Sequence, residues 1–292
     1  MTLSELLRPA TPKADSDLQA EAPEPETASA GRVVTVWGSS GSGKTTLALN
    51  LSFELATLGQ RVLLIDADSH RPSIAAALGF TEQGPGITAV LRLLRANRLT
   101  LEELQRLTEE IQFGPHRLKV LTGLNSPSRW PELTPELLRE LVSFSVDHFD
   151  AVVFDVSSEL EQGLFSATSE VPRNACVAAL VEQSDIALGV FGSDPVGVNR
   201  FLWDCREAGF EFWPVANRVR SSVIGKNPTR QLRDTLHRLA RLEIKALVPE
   251  DSASADLSLA KAEPLCLCAK GSKMREAIRR LALDILDEPT KD

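Results

Sequence analysis

Apolar segments alternate with amphipathic segments along almost the whole chain after residue 31. The apolar segments are short and rich in β-branched residues, which predicts buried strands, whereas the amphipathic segments repeat their apolar residues every three or four positions, which predicts helices. Strands are predicted at residues 32–37, 61–66, 118–121, 149–156, 186–191, 211–216 and 244–248. Helices are predicted at residues 46–58, 72–78, 87–96, 99–111, 135–146, 172–183, 195–208, 228–242, 252–262 and 272–286. This order predicts an α/β fold with a doubly wound, mostly parallel sheet.

Residues 1–30 do not share this alternation. They are rich in Ala, Pro and Glu and offer few apolar side chains to a core. Such a composition predicts a disordered acidic tail, followed by one domain over residues 31–292.

The composition of the whole chain narrows its class. Of the 292 residues, 43% are hydrophobic and 25% are charged, which is typical of a globular protein with a full core. No apolar run approaches the roughly 20 residues that span a bilayer, and the first residues lack the basic-then-apolar order of a secretory signal. We therefore expect a cytoplasmic protein. The net charge of -8 argues against a protein coated in nucleic acid.

A glycine-rich loop lies between the first strand and the first helix. Its residues Gly38-Ser39-Ser40-Gly41-Ser42-Gly43-Lys44-Thr45 satisfy G-x-x-x-x-G-K-[ST], the phosphate-binding P-loop pattern. Glycines let the backbone N–H groups turn toward phosphates, Lys44 neutralises the terminal phosphates, and Thr45 offers a hydroxyl to Mg²⁺. The sequence therefore predicts a nucleoside triphosphate site. Its P-loop residues are Gly38, Ser39, Ser40, Gly41, Ser42, Gly43, Lys44, Thr45 and Thr46.

Three acids come directly after buried strands and could complete this site. Asp155 ends the apolar run 151–154, so it is a candidate for the carboxylate that holds Mg²⁺; the alternative is an ordinary strand-end acid. Asp66 and Asp68 lie at the end of the second strand two residues apart, so in extended backbone both could face the γ-phosphate, where one could orient the attacking water. The alternative for this pair is to cap the helix that begins near Pro72.

These motifs, taken in order, resemble those of the MinD/ParA ATPases, and within that family the CpaE and TadZ branch that is tied to pilus assembly. The resemblance covers nearly everything after residue 30. It is carried by residues 38–46, Ile65-Asp66-Ala67-Asp68, Arg71-Pro72-Ser73, Leu78-Gly79, Val153-Phe154-Asp155, Ala216-Asn217-Arg218 and Val248-Pro249-Glu250-Asp251.

The resemblance implies a P-loop fold of the SIMIBI type with ATP and Mg²⁺ as ligands. It implies that Lys44 and Thr45 bind phosphate and metal, that Asp68 positions water, and that Asp155 serves the metal. Asp66 would assist both tasks. The adenine would be read by Asn217 in a loop with Arg218 and Pro249. Members of the family dimerise on ATP, bind a surface or partner, and let go on hydrolysis, which implies a role in pilus assembly, septum placement or DNA segregation.

Two segments depart from the family pattern. The family's signature lysine, which reaches the partner's site in the dimer, falls on Ser39 here. The residues after Asp155 are Val156-Ser157-Ser158, where the family usually carries a proline and a glycine. Because a serine cannot neutralise a phosphate in the partner's site, we expect slow hydrolysis, stimulated by a partner, and we question the ATP-dependent homodimer.

Two other functions compete with a slow ATPase. A nucleotide-binding scaffold that does not hydrolyse ATP would also explain Ser39. The stretch 66–72 is similar to that of bacterial tyrosine kinases, but those enzymes phosphorylate their own tyrosine cluster, and this chain contains no tyrosine.

Two helices suggest contact surfaces. In residues 228–242, Arg230, Arg233, His237 and Arg241 fall opposite Leu232, Leu236 and Leu239, which predicts an exposed basic ridge over a packed leucine stripe. The ridge could be solvated, bind DNA, bind an acidic protein, or be masked by the acidic tail. In residues 272–292, Met274, Ile278, Leu281 and Ile285 form a stripe that could pack in the core or contact a membrane peripherally.

Overall fold

The computed structural model describes residues 31–80, 84–158 and 172–289. The strands are β1 (Arg32–Gly38), β2 (Val62–Ala67), β3 (Glu109–Phe113), β4 (His116–Leu121), β5 (Ala151–Val156), β6 (Ile186–Gly192), β7 (Trp213–Val219) and β8 (Ala246–Pro249). The α-helices are α1 (Lys44–Thr57), α2 (Ile74–Ala77), α3 (Gly86–Arg95), α4 (Leu101–Leu107), α5 (Pro135–Val146), α6 (Ala175–Glu182), α7 (Pro195–Glu207), α8 (Ser221–Ile224), α9 (Pro228–Ala240), α10 (Ser252–Lys261), α11 (Leu265–Cys268) and α12 (Lys273–Asp287), with a 3₁₀ helix at Pro127–Glu132.

These strands form one sheet in the order β3-β4-β2-β5-β1-β6-β7-β8. Every neighbouring pair is parallel except β3 and β4. The sheet extends from β1 in both directions, toward β5 on one side and β6 on the other, so the carboxyl end of β1 is the point where a doubly wound sheet opens a crevice. The predicted fold class is confirmed.

The helix predicted over residues 99–111 is wrong in its second half. Helix α4 ends at Leu107, and β3 then runs antiparallel to β4 at the edge of the sheet. In β3 the side chains of Ile111 and Phe113 turn toward the core while Glu110 and Gln112 are exposed, which is the two-residue period of a strand. Gly114, with φ of 58°, makes the tight turn of the hairpin.

Two apolar layers cover the two faces of the sheet. One contains Trp37, Phe154, Phe191 and Phe201 beneath helices α3, α5, α6, α7 and α9. The other contains side chains of α1, α11 and α12, with Phe53 among its largest buried residues. The strands are therefore buried on both faces, which explains their nearly continuous apolar runs.

The apolar stripe of α12 belongs to the second layer. Met274, Ile278, Leu281 and Ile285 are each at most 6% exposed. On the same side of the helix, Arg275 and Arg279 pair with the buried carboxylate of Glu54 on α1, at 2.7 and 3.1 Å. The core-packing interpretation is therefore confirmed, and this stripe is not available to a membrane. Within the described ranges, none of the helices combines the length and the apolar character that crossing a bilayer requires.

Helix α9 matches its prediction only in part. Leu232 and Leu236 are buried, but Leu239 is 56% exposed and lines an open cavity with residues of α7. The basic ridge is exposed, although Arg233 donates a hydrogen bond to the carbonyl oxygen of Ile244 at 2.9 Å.

Candidate nucleotide-binding site

The P-loop pattern lies in the crevice at the end of β1. A Cβ atom on Gly38 would overlap the carbonyl oxygen of Val190, and φ is +142°, so a larger residue does not fit. At Gly43, φ is +88° and a Cβ atom would overlap the side-chain amide of Asn217. These two glycines bring the loop against β6 and β7, and α1 begins at the next residue, Lys44. The N-terminus of α1 therefore faces the crevice, as anion binding requires.

Lys44 is held in the crevice by a carboxylate. Its ammonium lies 3.4 Å from Asp68 Oδ2, and both residues are buried. The other oxygen, Oδ1, accepts hydrogen bonds from the backbone N–H groups of His70 and Arg71, at 2.8 and 2.9 Å. The turn after β2 thus fixes the direction in which Asp68 points, and two of the three predicted catalytic residues, Lys44 and Asp68, meet.

Asp155 and Thr45 form the second contact of the site. Thr45 donates its hydroxyl proton to Asp155 Oδ2 at 2.6 Å. Oδ1 of Asp155 is buried and has no hydrogen-bond partner among the residues that the structure describes. Burial raises the pKa of Asp155, and the positive charge of Lys44 opposes that rise. A buried carboxylate oxygen left without a donor is costly, and carboxylate and hydroxyl oxygens are ligands that Mg²⁺ accepts. The residues present therefore fit Mg²⁺.

Asp66 lies beside Asp155 but makes different contacts. The two residues are register partners in neighbouring strands, and both are fully buried. Asp66 Oδ2 accepts from the N–H groups of Ser73 and Ile74 at 2.9 and 3.0 Å, and Oδ1 accepts from Asp68 N at 3.2 Å. Burial raises the pKa of Asp66, and these N–H groups oppose the rise.

These contacts are the capping role that the sequence offered as the alternative for Asp66. Strand β2 ends at Ala67, and the turn after it directs Asp68 toward Lys44. That both acids face the γ-phosphate stays a prediction. The catalytic and metal-binding roles of Asp66 stay predictions.

Comparison with known proteins agrees with this arrangement. The model of the CobQ/CobB/MinD/ParA nucleotide binding domain matches residues 33–191, more than half of the chain. The chain belongs to the MinD/ParA family of P-loop ATPases. It is similar to the septum site-determining protein MinD of Synechocystis sp., with 26% identity over 254 residues that cover 86% of this chain and 87% of the relative.

Two solved structures share the fold of this family member. A ParA family ATPase from Chlorobium tepidum superposes with a TM-score of 0.71 at 17% identity, covering 87% of this chain and 98% of that one. MinD from Pyrococcus horikoshii, crystallised with Mg-ADP, superposes with a TM-score of 0.64 at 21% identity, covering 88% and 96%.

Ser39 departs from the MinD/ParA pattern in its contacts as well as in its identity. It is 8% exposed, and its hydroxyl donates a hydrogen bond to Asp204 Oδ2 on α7. The residue at the lysine position is therefore tied to a helix of its own chain. Asp204 was not found from the sequence, because nothing in the pattern of α7 distinguishes it from an ordinary exposed acid.

The predicted adenine-binding residues come together on the other side of the P-loop. Thr46, Asn217, Arg218 and Pro249 line a cavity of about 80 Å³. Asn217 donates through Nδ2 to the carbonyl oxygen of Ser42 at 2.8 Å, so it supports the P-loop directly. Its role as a reader of adenine stays a prediction.

Arg173 is a site residue that the sequence did not reveal. Its guanidinium donates to the carbonyl oxygen of Ser69, next to Asp68, and lies 5.6 Å from the ring centre of Trp130. It thus supports the turn that aims Asp68 at Lys44. No motif contains it, and only the fold brings it to this turn.

The segment after Asp155 is described only at its start. Ser157 is 1% exposed, and its hydroxyl has no hydrogen-bond partner within the described part of the chain. The rest of the segment, residues 159–171, lies outside the described residues.

Proposed function

We propose that this MinD/ParA protein is a nucleotide switch that binds ATP with Mg²⁺ and hydrolyses it slowly. The observation that carries the proposal is the contact between Thr45 and Asp155, which leaves one buried carboxylate oxygen open beside the P-loop. An oxygen of this kind is stable when a cation or a donor completes it.

Each of the central residues has a task in this proposal. Thr45 and Asp155 would hold Mg²⁺, which when bound neutralises phosphate charge and orients the triphosphate. Lys44 binds phosphate with the ammonium that faces Asp68 in the structure. Asp68, freed from Lys44, accepts a hydrogen bond from the attacking water and so orients it.

Slow turnover is supported by Ser39. The serine carries no charge, and its hydroxyl is already engaged by Asp204. A site that lacks one cation at the phosphates lacks part of the electrostatic stabilisation that phosphoryl transfer needs. A different protein that contributes a cation would supply it.

The cellular role in this proposal is to position or regulate a machine, as in septum placement, DNA segregation or pilus assembly, from the cytoplasm. The relative named as septum site-determining supports the first of these roles. The exposed ridge of α9, with Arg230, His237 and Arg241, is the surface that we propose for an acidic protein partner or for DNA.

The test is phosphate release by the full chain, with its mass measured by light scattering in ADP and in Mg·ATP. We expect slow, Mg²⁺-dependent turnover that Lys44→Ala abolishes, while Lys270→Ala, an exposed control on the loop before α12, leaves it unchanged. Asp68→Ala should lower turnover by roughly 10²- to 10⁴-fold and keep ATP affinity within about tenfold.

Other results would change the proposal. Rapid turnover without a partner would contradict the slow switch. Tight ATP binding with no turnover under any condition would favour the scaffold, which the engaged Ser39 also supports. A mass that doubles only in Mg·ATP would establish that dimerisation does not need the signature lysine.

A further inference from the structure

An apolar groove runs between α7 and α9. At one end it is lined by Ser193, which donates hydrogen bonds to the carbonyl oxygens of Asn217 and Arg218. The groove encloses about 360 Å³ and is also lined by Val198, Leu202, Val223, Leu232 and Leu239. Val223 and Leu239 are 42% and 56% exposed, so the groove presents apolar surface to water although both helices are otherwise packed on the sheet. Covering such side chains with another apolar segment removes their contact with water, which is favourable.

Two arginines outside the lining of this groove follow it toward one end. Helices that connect parallel strands run back from the carboxyl edge of the sheet to its amino edge, so α7 and α9 both end at the amino edge. Arg206 lies one turn beyond Leu202 on α7, and Arg238 precedes Leu239 near the end of α9. Both arginines are exposed. The amino-edge end of the groove therefore favours an acidic occupant.

The part of the chain outside the structure joins the fold at this same edge. Gly31 precedes β1, and its N–H group donates to the carbonyl oxygen of Val146, at the end of α5. In the sheet, β1 is followed by β6 and then β7, the strands that lead into α7 and α9. Residues 1–30 thus start two strand spacings, about 10 Å, from the strand that precedes α9.

Residues 1–30 contain both apolar side chains, which suit the lining of the groove, and acidic side chains, which suit the nearby arginines. Leu3, Leu6 and Leu7 have the spacing of one helix face, and Thr2 and Glu5 have the spacing of a capping box. The residues between this cluster and Gly31 carry acids at Asp15, Asp17, Glu21, Glu24 and Glu26. The segment therefore holds an apolar cluster followed by an acidic connection.

The length of the connection suits the distance. Residues 8–30 separate the leucines from the fold, and a flexible chain of this length has a mean end-to-end distance of about 26 Å. The path from β1 to the groove consists of about 10 Å across the sheet and about 10 Å for one layer of packing. A tether whose mean length is close to its span gives a high effective concentration.

We propose that residues 2–7 dock in the α7–α9 groove of their own chain. Leu3, Leu6 and Leu7 occupy the apolar part, and the acids of residues 15–26 face Arg206 and Arg238. The docked segment covers the surface beside the basic ridge of α9, so it competes with any partner that binds there. The test of this docking does not depend on ATP hydrolysis.

Disulfide trapping in the full chain tests the docking. The variant Leu6→Cys with Leu239→Cys is compared with Leu6→Cys with Leu259→Cys, because Leu259 is 64% exposed on α10 and lies outside the groove. Under mild oxidation we expect the first pair to cross-link within one chain at least about tenfold faster than the second. Peptide mapping distinguishes this disulfide from those of the four native cysteines.

Two results would overturn the proposal. Equal rates for the two pairs would show that the segment has no preference for the groove. Cross-links that form only between two chains would make a second copy the occupant.

Hydrogen–deuterium exchange gives a second readout without new cysteines. Replacing Leu3, Leu6 and Leu7 by serine leaves the described fold untouched, so the variant should unfold at the same urea concentration. Peptides from α7 and α9 should then exchange at least about threefold faster, whereas serines at Ala20, Ala22 and Ala28 should change nothing. Unchanged exchange in the leucine variant would also overturn the proposal.

Discussion

Asp66 and Asp155 lie side by side at the ends of two neighbouring strands, and their contacts differ. Both come after an apolar run, both are fully buried, and they are register partners across β2 and β5. Asp66 accepts three backbone N–H groups, whereas Asp155 accepts one hydroxyl from Thr45 and keeps one oxygen without a partner in the described residues.

The two carboxylates differ because the chain takes a different course after each strand. After Asp66 the chain turns within a few residues into α2, and the first N–H groups of that turn, from Ser73 and Ile74, meet the carboxylate. After Asp155 the chain supplies no donor of this kind among the described residues. A carboxylate filled by its own backbone supports the fold, whereas a carboxylate left open is suited to a cation.

The largest expected effect is that of Asp155→Asn on Mg²⁺-dependent turnover. The substitution keeps the volume of the side chain but removes the charge that would hold the metal, so turnover should fall by roughly 10²- to 10³-fold. The stability of the nucleotide-free chain should change little, because the amide oxygen still accepts from Thr45 and a carboxyl whose pKa is raised by burial is replaced by a neutral group. Phosphate release during a Mg²⁺ titration and urea unfolding measure the two effects.

Asp66→Ala should show the reverse, with its main effect on stability. Three backbone N–H groups lose their acceptor, which should lower the free energy of unfolding by about 2–4 kcal/mol. Urea unfolding of the nucleotide-free chain measures this loss. If Asp66→Ala were as stable as the unmodified chain but failed to bind Mg²⁺, Asp66 would be a metal ligand. The contrast drawn between Asp66 and Asp155 would then be wrong.

Substitution of Thr45 tests the role of Asp155 indirectly, because the Thr45 hydroxyl is the donor that orients the Asp155 carboxylate. Thr45→Val has a similar shape but no hydroxyl, so Mg²⁺·ATP affinity should fall by about tenfold, near 1.4 kcal/mol. Thr45→Ser keeps the hydroxyl and serves as the matched control. Isothermal titration with ATP in Mg²⁺ and in EDTA measures the change. Equal losses with and without Mg²⁺ would mean that Thr45 acts on the fold of the P-loop rather than on the metal.

Local pattern was sufficient to predict the centre of this fold. The glycine spacing of residues 38–45 and the apolar runs of β1, β2 and β5 are each decided within a few residues, and the structure has them where they were expected. The hairpin of β3 and β4 was partly missed, because Leu104 and Leu107 continue a helical period up to a strand that starts two residues later.

The parts that could not be predicted depend on contacts between distant segments. Leu239 continues the leucine stripe of α9 in sequence, but it is exposed at the groove between α7 and α9, which only the packing reveals. Asp204 and Arg173 reach Ser39 and Ser69 across more than a hundred residues. Sequence alone allowed two roles for Asp66, action at the γ-phosphate or helix capping. The structure shows backbone N–H groups that make the capping contacts with it.

The smallest expected effect concerns Asp204, a third carboxylate that contacts the P-loop and, like Asp66, is already engaged. Its partner is Ser39, at the position of the family's signature lysine. Restoring the lysine by Ser39→Lys should leave turnover within about threefold of the unmodified chain, since a lysine there would pair with Asp204 of its own chain. Phosphate release measures turnover, and Ser39→Ala controls for loss of the serine contact, which should cost about 0.5–1.5 kcal/mol of stability.

The double variant Ser39→Lys with Asp204→Asn tests whether the carboxylate of Asp204 is what holds the new lysine. Without the Asp204 carboxylate the new lysine can reach a phosphate, so turnover should rise above that of Ser39→Lys and the mass in Mg·ATP should move toward that of a dimer. If Ser39→Lys alone accelerated turnover by about tenfold or more, Asp204 would not hold the lysine.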